Sequence, residues 1–419
     1  MYPFKQSALA EAAALRPIVA QIMTLADTTY GGPDDAYAVR FRGQLYRDSQ
    51  EAYAFAAERF RPLGYTPLFR KDGPDHLVLA VAGVIAPAPS RVWVNLAMLG
   101  LPILSMLLTG GLYGYAGAAP QSLDDWWQIM RAGWPFLLSM LGILGAHELG
   151  HYFAARYHKV AVTLPYFIPF PLSLFGTLGA FIQLKAPPTN RRVLLDIGIA
   201  GPLAGFVVAV PVLLIGLATS EVRPIPLGQV SGFEGNSLLY VALKYLVFGQ
   251  FLPAPAATDG LPLWLFMLRF YGFGMFTPAG GVDVFLNQTA WAGWAGLLVT
   301  GLNLIPAGQL DGGHALYVLV GRRARLLLPF ILAVLVGLGF FWNGWWIWAG
   351  LIFMLGRTHA EPLDQITELD PVRRLLALAA LALALLPLGA GAAEAPMVES
   401  PTWAEIAGDI LGDAVPADG

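Results

Sequence analysis

The sequence predicts an all-α polytopic membrane protein of about six to seven transmembrane helices with a re-entrant β-hairpin, plus a small N-terminal α+β cytoplasmic domain. Three observations predict it. Of the 419 residues, 56% are apolar and 13% charged, against roughly 45–50% and ~25% in soluble domains. Five charge-free runs are long enough for a bilayer, and residues 1–88 contain none of them. Twenty-five basic and 28 acidic residues leave a net charge of −3, without the basic excess of a nucleic-acid binder. The absence of cysteine excludes disulfides, thiol nucleophiles and cysteine-type zinc sites.

A helical crossing needs ~20 mostly apolar residues. Val92–Leu123, Ile197–Ser220, Val284–Leu310, Leu326–Gly356 and Leu375–Ala393 meet that standard. A shorter run, Ala132–Ala146, continues into His147, Glu148 and His151 and then Tyr152–Tyr157. Leu326–Gly356 is long enough for two passes, with Asn343-Gly344 as a turn dipeptide near its middle. The expected crossings are therefore roughly 92–115, 133–157, 193–218, 286–310, 324–342, 345–356 and 375–392, the sixth short enough to dip rather than span.

Basic residues set the orientation. Arg91, then Arg156, Lys159, Lys185, Arg191 and Arg192, then Arg322, Arg323 and Arg325, then Arg357, Arg373 and Arg374 all fall on one side if the N-terminus is cytoplasmic. Arg131, Arg223, Lys244 and Arg269 fall outside that pattern. The tail after Ala393 carries six carboxylates and no Lys or Arg, and is expected outside and loosely ordered. The expected division is a cytoplasmic domain over 1–88, a membrane domain over 89–392 and an acidic tail over 393–419.

Within residues 1–88, Ser7–Leu25 reads as a helix broken or kinked at Pro17. Tyr37, Val39 and Phe41 alternate with Arg40 and Arg42, the period of a half-buried strand. Asp48-Ser49 caps a helix whose Ala52, Tyr53, Ala56 and Phe60 share a face. Thr66–Lys71 and His76–Ala82 read as strands around an Asp72-Gly73 turn. Arg40, Arg42, Arg59, Arg61, Arg70 and Lys71 read as a solvated face. The first 30 residues lack the apolar core of a signal peptide.

The chemistry sits in the second crossing, which reads His147-Glu-Leu-Gly-His151. Two histidines four apart share a helix face and can reach one metal ion, with Glu148 beside a metal-bound water. Three ionisable groups at that depth need a partner or a wet cavity. A buried polar cluster gluing helices together is the bland alternative. Two histidines leave a catalytic zinc one protein ligand short. Asp311 is the only acidic residue within or at the end of the fourth crossing and falls on the same membrane side as His151. Pro306, Gly308, Gly312 and Gly313 loosen the backbone there. The alternative for Asp311 is an interfacial pair with Arg322 or Arg323. His314, one turn on, reads as structural rather than as a rival ligand, His158 as solvated, and His76 and His359 as carrying no signal.

His147-Glu148-x-x-His151 in one membrane helix, with Asn303-x-x-Pro306-x-x-x-x-Asp311-Gly312 in a later one, resembles the site-2 protease family of intramembrane zinc metalloproteases. Phe175-Gly-Thr-Leu-Gly-Ala-Phe181 resembles its Gly-rich hairpin and Ala200-Gly-Pro-Leu-Ala-Gly205 its next helix. Ala292 through Gly313 resembles the plastid and cyanobacterial subgroup of the ethylene-dependent gravitropism-deficient, yellow-green type. Asn287-Gln288 stands where that subgroup commonly has His-Pro, and no PDZ-sized insertion separates the core helices. The resemblance implies one Zn2+ per chain held by His147, His151 and Asp311, Glu148 as catalytic acid/base and Asn303 as an active-site polar group. The orientation read from the basic residues puts the active site nearer the cytoplasmic side, and the resemblance implies a transmembrane protein substrate, such as an anti-sigma factor or a signal-peptide remnant.

The reaction expected is attack of zinc-activated water on a peptide bond with Glu148 as general base, and Asn303 can donate to the developing oxyanion. Asn303 and Asp311 are eight residues apart, so both face the site only if the helix unwinds near Pro306. The Tyr166–Leu184 segment can form a hairpin whose free edge takes an unwound substrate as an added strand, or be a plain re-entrant turn. The aromatic stretch 236–281, with Trp264, Phe266, Phe270 and Tyr271, reads as a gate at the outer interface. A metal-ion transporter would also bury such residues, but no second copy of either motif appears. A proteolytically silent scaffold would have no use for Glu148.

Overall fold

The computed structural model describes residues 13–32, 35–87, 89–115, 120–171, 173–225, 235–254, 260–262, 265–266, 281–340, 344–356 and 361–386. Ser7, Trp264, Phe270, Tyr271, Asn343, His359 and the acidic tail lie outside the described residues.

The N-terminal part is a four-stranded antiparallel sheet in the order β1-β2-β4-β3, built from β1 (Met23–Tyr30), β2 (Val39–Leu45), β3 (Tyr65–Asp72) and β4 (Asp75–Ala82). Helix α1 (residues 13–19) and α2 (Ser49–Phe60) cover one face. Asp48 caps α2 by accepting from Gln50 N, and Ala52, Tyr53, Ala56 and Phe60 are buried against Phe41, Phe69 and Val78, the face that the sequence predicts. The predicted helix to Leu25 ends early: Pro17 sits inside α1 without breaking it, and Met23 already opens an edge strand against Leu45. Thr24, Leu25 and Thr28 to Tyr30 have no clean alternation, so pairing with β2 overrides a weak local signal.

The helical part contains α3 (Val92–Tyr113), α4 (Leu123–Ala132), α5 (Trp134–Tyr157) and α6 (Arg191–Ala218), then α7 (Leu238–Phe248), α8 (Gln288–Asn303), α9 (Asp311–Val320), α10 (Leu328–Leu338), α11 (Gly344–Leu355) and α12 (Pro371–Leu383). Two of them, α3 and α6, are long and apolar enough to cross a membrane, and α4 with α5, bent by 48° at Gly133, makes a third span when taken together. The other four expected crossings are shorter helices among the described residues: 16 residues in α8, 11 in α10, 12 in α11 and 13 in α12. The run predicted as one crossing over 286–310 breaks after Asn303, and α9 starts afresh at Asp311. Ser122 and Asp125 form a capping box for α4.

Helices α5, α6 and α8 pack tightly because glycines line their contacts. Gly150 lies against the Ala200 carbonyl, Gly293 against Leu213 and Gly296 against Ile143, so a Cβ at any of them would overlap its neighbour. Two short strands, β5 (Tyr166–Pro169) and β6 (Thr177–Phe181), form the predicted hairpin beside α5. It is buttressed from α3, where Asn95 donates to Leu164 O at 2.7 Å and Ser105 to Gly176 O at 2.6 Å. A further pair, β7 (Glu221–Pro224) with β8 (Val282–Phe285), joins the far ends of α6 and α8 and carries no signature in the sequence.

Residues 361–370 strap the sheet to the helical part. Phe69 N donates to Leu363 O and Gln365 N to Phe69 O, so the strap runs alongside β3, while Asp364 N donates to Thr189 O just before α6. Arg70, expected to be solvated, instead donates to Leu363 O at 2.8 Å. Asp364 is fully buried and accepts from Ser49 Oγ at 2.9 Å, Ile366 N at 2.8 Å, Thr367 N at 3.2 Å and the Thr367 hydroxyl. Burial, with the Asp364 carboxylate nearby, pushes the Tyr53 phenol above its ordinary value. Asp364→Ala strands those donors and should cost about 2 kcal/mol, read as a lower Tm of the detergent-solubilised chain. An unchanged Tm would contradict the role given to the strap.

Candidate metal centre

His147, Glu148 and His151 lie on α5 and are buried, with 3%, 5% and 6% exposure. Asp311 is the first residue of α9. His147 Nε2 and His151 Nε2 are 3.2 Å apart, and Asp311 Oδ2 lies 3.3 Å from the first and 3.4 Å from the second. These three atoms form a nearly equilateral triangle. A tetrahedral ion bonded at about 2.05 Å places neighbouring ligands about 3.3 Å apart, so the donor set fits a metal ion of zinc type without rearrangement. Among the described residues this is the one His/Asp/Glu group with ligand atoms close enough to hold an ion. Among the described residues Asp311 pairs with the two histidines rather than with Arg322 or Arg323, the interfacial alternative, and Arg322 pairs instead with Glu361 at 3.3 Å.

Three features orient the ligands. His151 Nδ1 donates to the Ile197 carbonyl on α6 at 2.7 Å. A carbonyl can only accept, so Nδ1 carries the proton and the Nε2 lone pair faces the triangle. Gly201, four residues after Ile197, makes room, because a Cβ there would lie 2.1 Å from His151 Nε2. Gly205 does the same for His147, whose Nδ1 lies 3.1 Å from the position of a Cβ. The break between α8 and α9 supplies the third feature. Ala307 N turns back to Ile305 O, Leu310 N to Ala307 O, and Gly312 and Gly313 pack their backbone directly on Leu304 and Gly308.

That reversal brings both ends of the Asn303 to Asp311 segment to His147. The Asn303 amide nitrogen lies 3.4 Å from His147 Nε2, so the unwinding that the spacing required does occur. The backbone amide of Ile182, just past the hairpin, lies beside the Glu148 carboxylate. His314 packs its Cβ against Gly198 and lies outside the metal group, the structural position that the sequence favours. His158, expected to be solvated, is instead bonded to Asp196 Oδ2 at 3.0 Å and only 18% exposed at its side chain. Sequence reasoning missed Ile197, Gly201 and Gly205. The Gly198-x-x-Gly201-x-x-x-Gly205 spacing was the available signal for a face that receives bulky neighbours.

Residues 135–341 match Peptidase family M50. That stretch, just under half of the chain, takes in all five candidate residues. Over 293 residues it is 30% identical to the probable zinc metalloprotease EGY1, chloroplastic, of Arabidopsis thaliana, covering 70% of this chain and 47% of that protein. It is 30% identical over 261 residues to the probable zinc metalloprotease EGY2, chloroplastic, of the same plant, covering 62% of this chain and 42% of the relative. The rice (Oryza sativa subsp. japonica) protein named as EGY1 is 29% identical over 279 residues, 66% of this chain and 42% of its own length. The chain thus spans less than half the length of these curated relatives. No solved structure matches it.

The candidate centre depends on Gly201, which offers no ligand atom of its own. Gly201→Ala should push the His151 ring off the Ile197 carbonyl and lower divalent-metal affinity by about 10- to 100-fold. Competition against a chromophoric chelator measures this, and an affinity equal to wild type would refute it.

Proposed function

We propose that the chain is an intramembrane zinc metalloprotease that cleaves a transmembrane protein substrate by regulated intramembrane proteolysis. The observation that carries this reading is the triangle of His147, His151 and Asp311 beside a buried glutamate. It is supported by the M50 match and by relatives named as probable zinc metalloproteases.

In this reading His147, His151 and Asp311 hold one zinc ion. The bound metal supplies Lewis acidity and brings the pKa of coordinated water to ~7. Glu148 accepts the proton of the attacking water and returns it to the leaving amine. Its burial at 5% exposure keeps bulk water from that proton. In the same reading the Asn303 amide donates to the oxyanion that grows on the scissile carbonyl, a role supported by its lying 3.4 Å from His147 Nε2. The β5–β6 hairpin, lying against α5, offers an edge on which an unwound substrate segment adds as a strand.

The same reading keeps seven crossings with the N-terminus in the cytoplasm, the broken α8–α9 pair and the shorter helices α10 to α12 supplying those beyond the three spans. It assigns 1–88 to a cytoplasmic domain, 89–392 to the protease and 393–419 to an acidic tail. The active site then lies nearer the cytoplasmic side, where a single-pass protein such as an anti-sigma factor, or a signal-peptide remnant, would be cut.

Glu148→Gln keeps the side-chain volume and removes the base. The purified variant should retain one zinc per chain by metal analysis while cleavage of a model transmembrane substrate falls about 10²- to 10⁴-fold. Cleavage at the wild-type rate would remove Glu148 from the reaction. A chelator should abolish wild-type cleavage, and added zinc should restore it.

A further inference from the structure

The hydrogen bond from His151 to Ile197 requires α6 to sit at one height and one rotation relative to α5. The residue next to Ile197 is Asp196, the only acidic residue of α6. Its carboxylate is 21% exposed and meets three nitrogen atoms from two side chains. Arg373 of α12 grips it in a fork, Nε to Oδ1 at 2.8 Å and Nη2 to Oδ2 at 2.7 Å. His158, the residue that ends α5, approaches Oδ2 at 3.0 Å. Arg373 is itself held from behind, its Nη1 donating to Asp370 Oδ2 at 2.7 Å, while Asp370 caps α12 through Arg373 N at 2.9 Å. None of these side chains belongs to the metal group.

Geometry gives the cluster a direction of action. His158 follows His151 by about two helical turns on α5, and Asp196 precedes by one residue the carbonyl that receives His151. The clamp therefore pins α5 to α6 at a point next to the hydrogen bond that orients a ligand. Other α5–α6 contacts near the ligands are the close approach of Gly150 to Ala200 and the apolar packing of Ala155 with Val193 and Ile197, neither of which is directional. The bidentate guanidinium–carboxylate pair sets distance and angle between α12 and α6, and the His158 bond to the same carboxylate carries that placement to the end of α5.

We propose that Asp196, clamped between Arg373 and His158, is a positioning residue for the metal centre: it fixes the register of α6 on α5 so that the Ile197 carbonyl meets His151. The proposal rests on the reading of His147, His151 and Asp311 as metal ligands. It makes α12, which follows the strap beneath the N-terminal sheet, part of the support of the active site.

The test uses the full chain in detergent, loaded with Co(II), whose visible absorption reports ligand geometry. Wild type should give a tetrahedral-type band and His147→Ala should lose it. Arg373→Leu and Asp196→Asn should weaken Co(II) affinity about tenfold, as supports of a ligand do, and shift the band. Arg373→Lys, which keeps the charge and loses the fork, should recover part of the affinity. Arg322→Ala, which breaks an exposed pair with Glu361, should change neither. If Arg373→Leu and Asp196→Asn lower Tm but leave affinity within twofold and the band unmoved, the cluster only holds the fold together and the proposal fails. If wild type shows no band, the metal reading itself fails and the clamp has nothing to position.

Discussion

A histidine ring wedged between two helices determines most of what this structure can do. His151 reaches the Ile197 carbonyl at 2.7 Å because Gly201, one turn further along α6, leaves the volume of a side chain vacant. Burying an imidazole without that acceptor would leave an N–H unsatisfied, at about 1–3 kcal/mol. Satisfying it fixes the tautomer and turns the Nε2 lone pair toward His147 and Asp311. The hydrogen bond thus settles folding and chemistry together, and Gly201 and Gly205 of α6 are placed for the rings they accommodate rather than for helix propensity, which they weaken.

The second half of the site follows from a broken helix. In lipid an interrupted backbone must be satisfied by protein or by a cavity, and residues 304–310 do this with tight turns and with the glycine backbone of 312–313 packed over them. The break costs helix continuity and delivers two polar side chains, Asn303 and Asp311, to one imidazole. An unbroken helix would have spread eight residues over about 12 Å.

Much of this could be read in the amino-acid order. Histidines at i and i+4 announce a shared face, and a lone carboxylate at the end of an apolar run announces a partner. Alternation at Val39 and Phe41, and the Asp48 cap, located the sheet and its helix. The parts that stayed hidden depend on distant contacts. The edge strand at Met23 forms only through its partner at Leu45. The pair β7–β8 joins segments about sixty residues apart in the chain and only four residues long each. His158 looked like a surface residue because its partner, Asp196, lies on another helix. Crossing counts stayed coarser than the hydropathy pattern suggests, since apolar runs show where a chain can enter lipid and not whether a helix continues through it.

The central claim is that one ion sits among His147, His151 and Asp311. X-ray absorption at the zinc edge of the purified full chain tests it most directly. The account predicts one zinc with two imidazole nitrogens and a carboxylate oxygen at about 2.0–2.2 Å, and loss of the imidazole scattering when both histidines are replaced. A chain that binds no zinc, or a spectrum unaltered by those replacements, would contradict it.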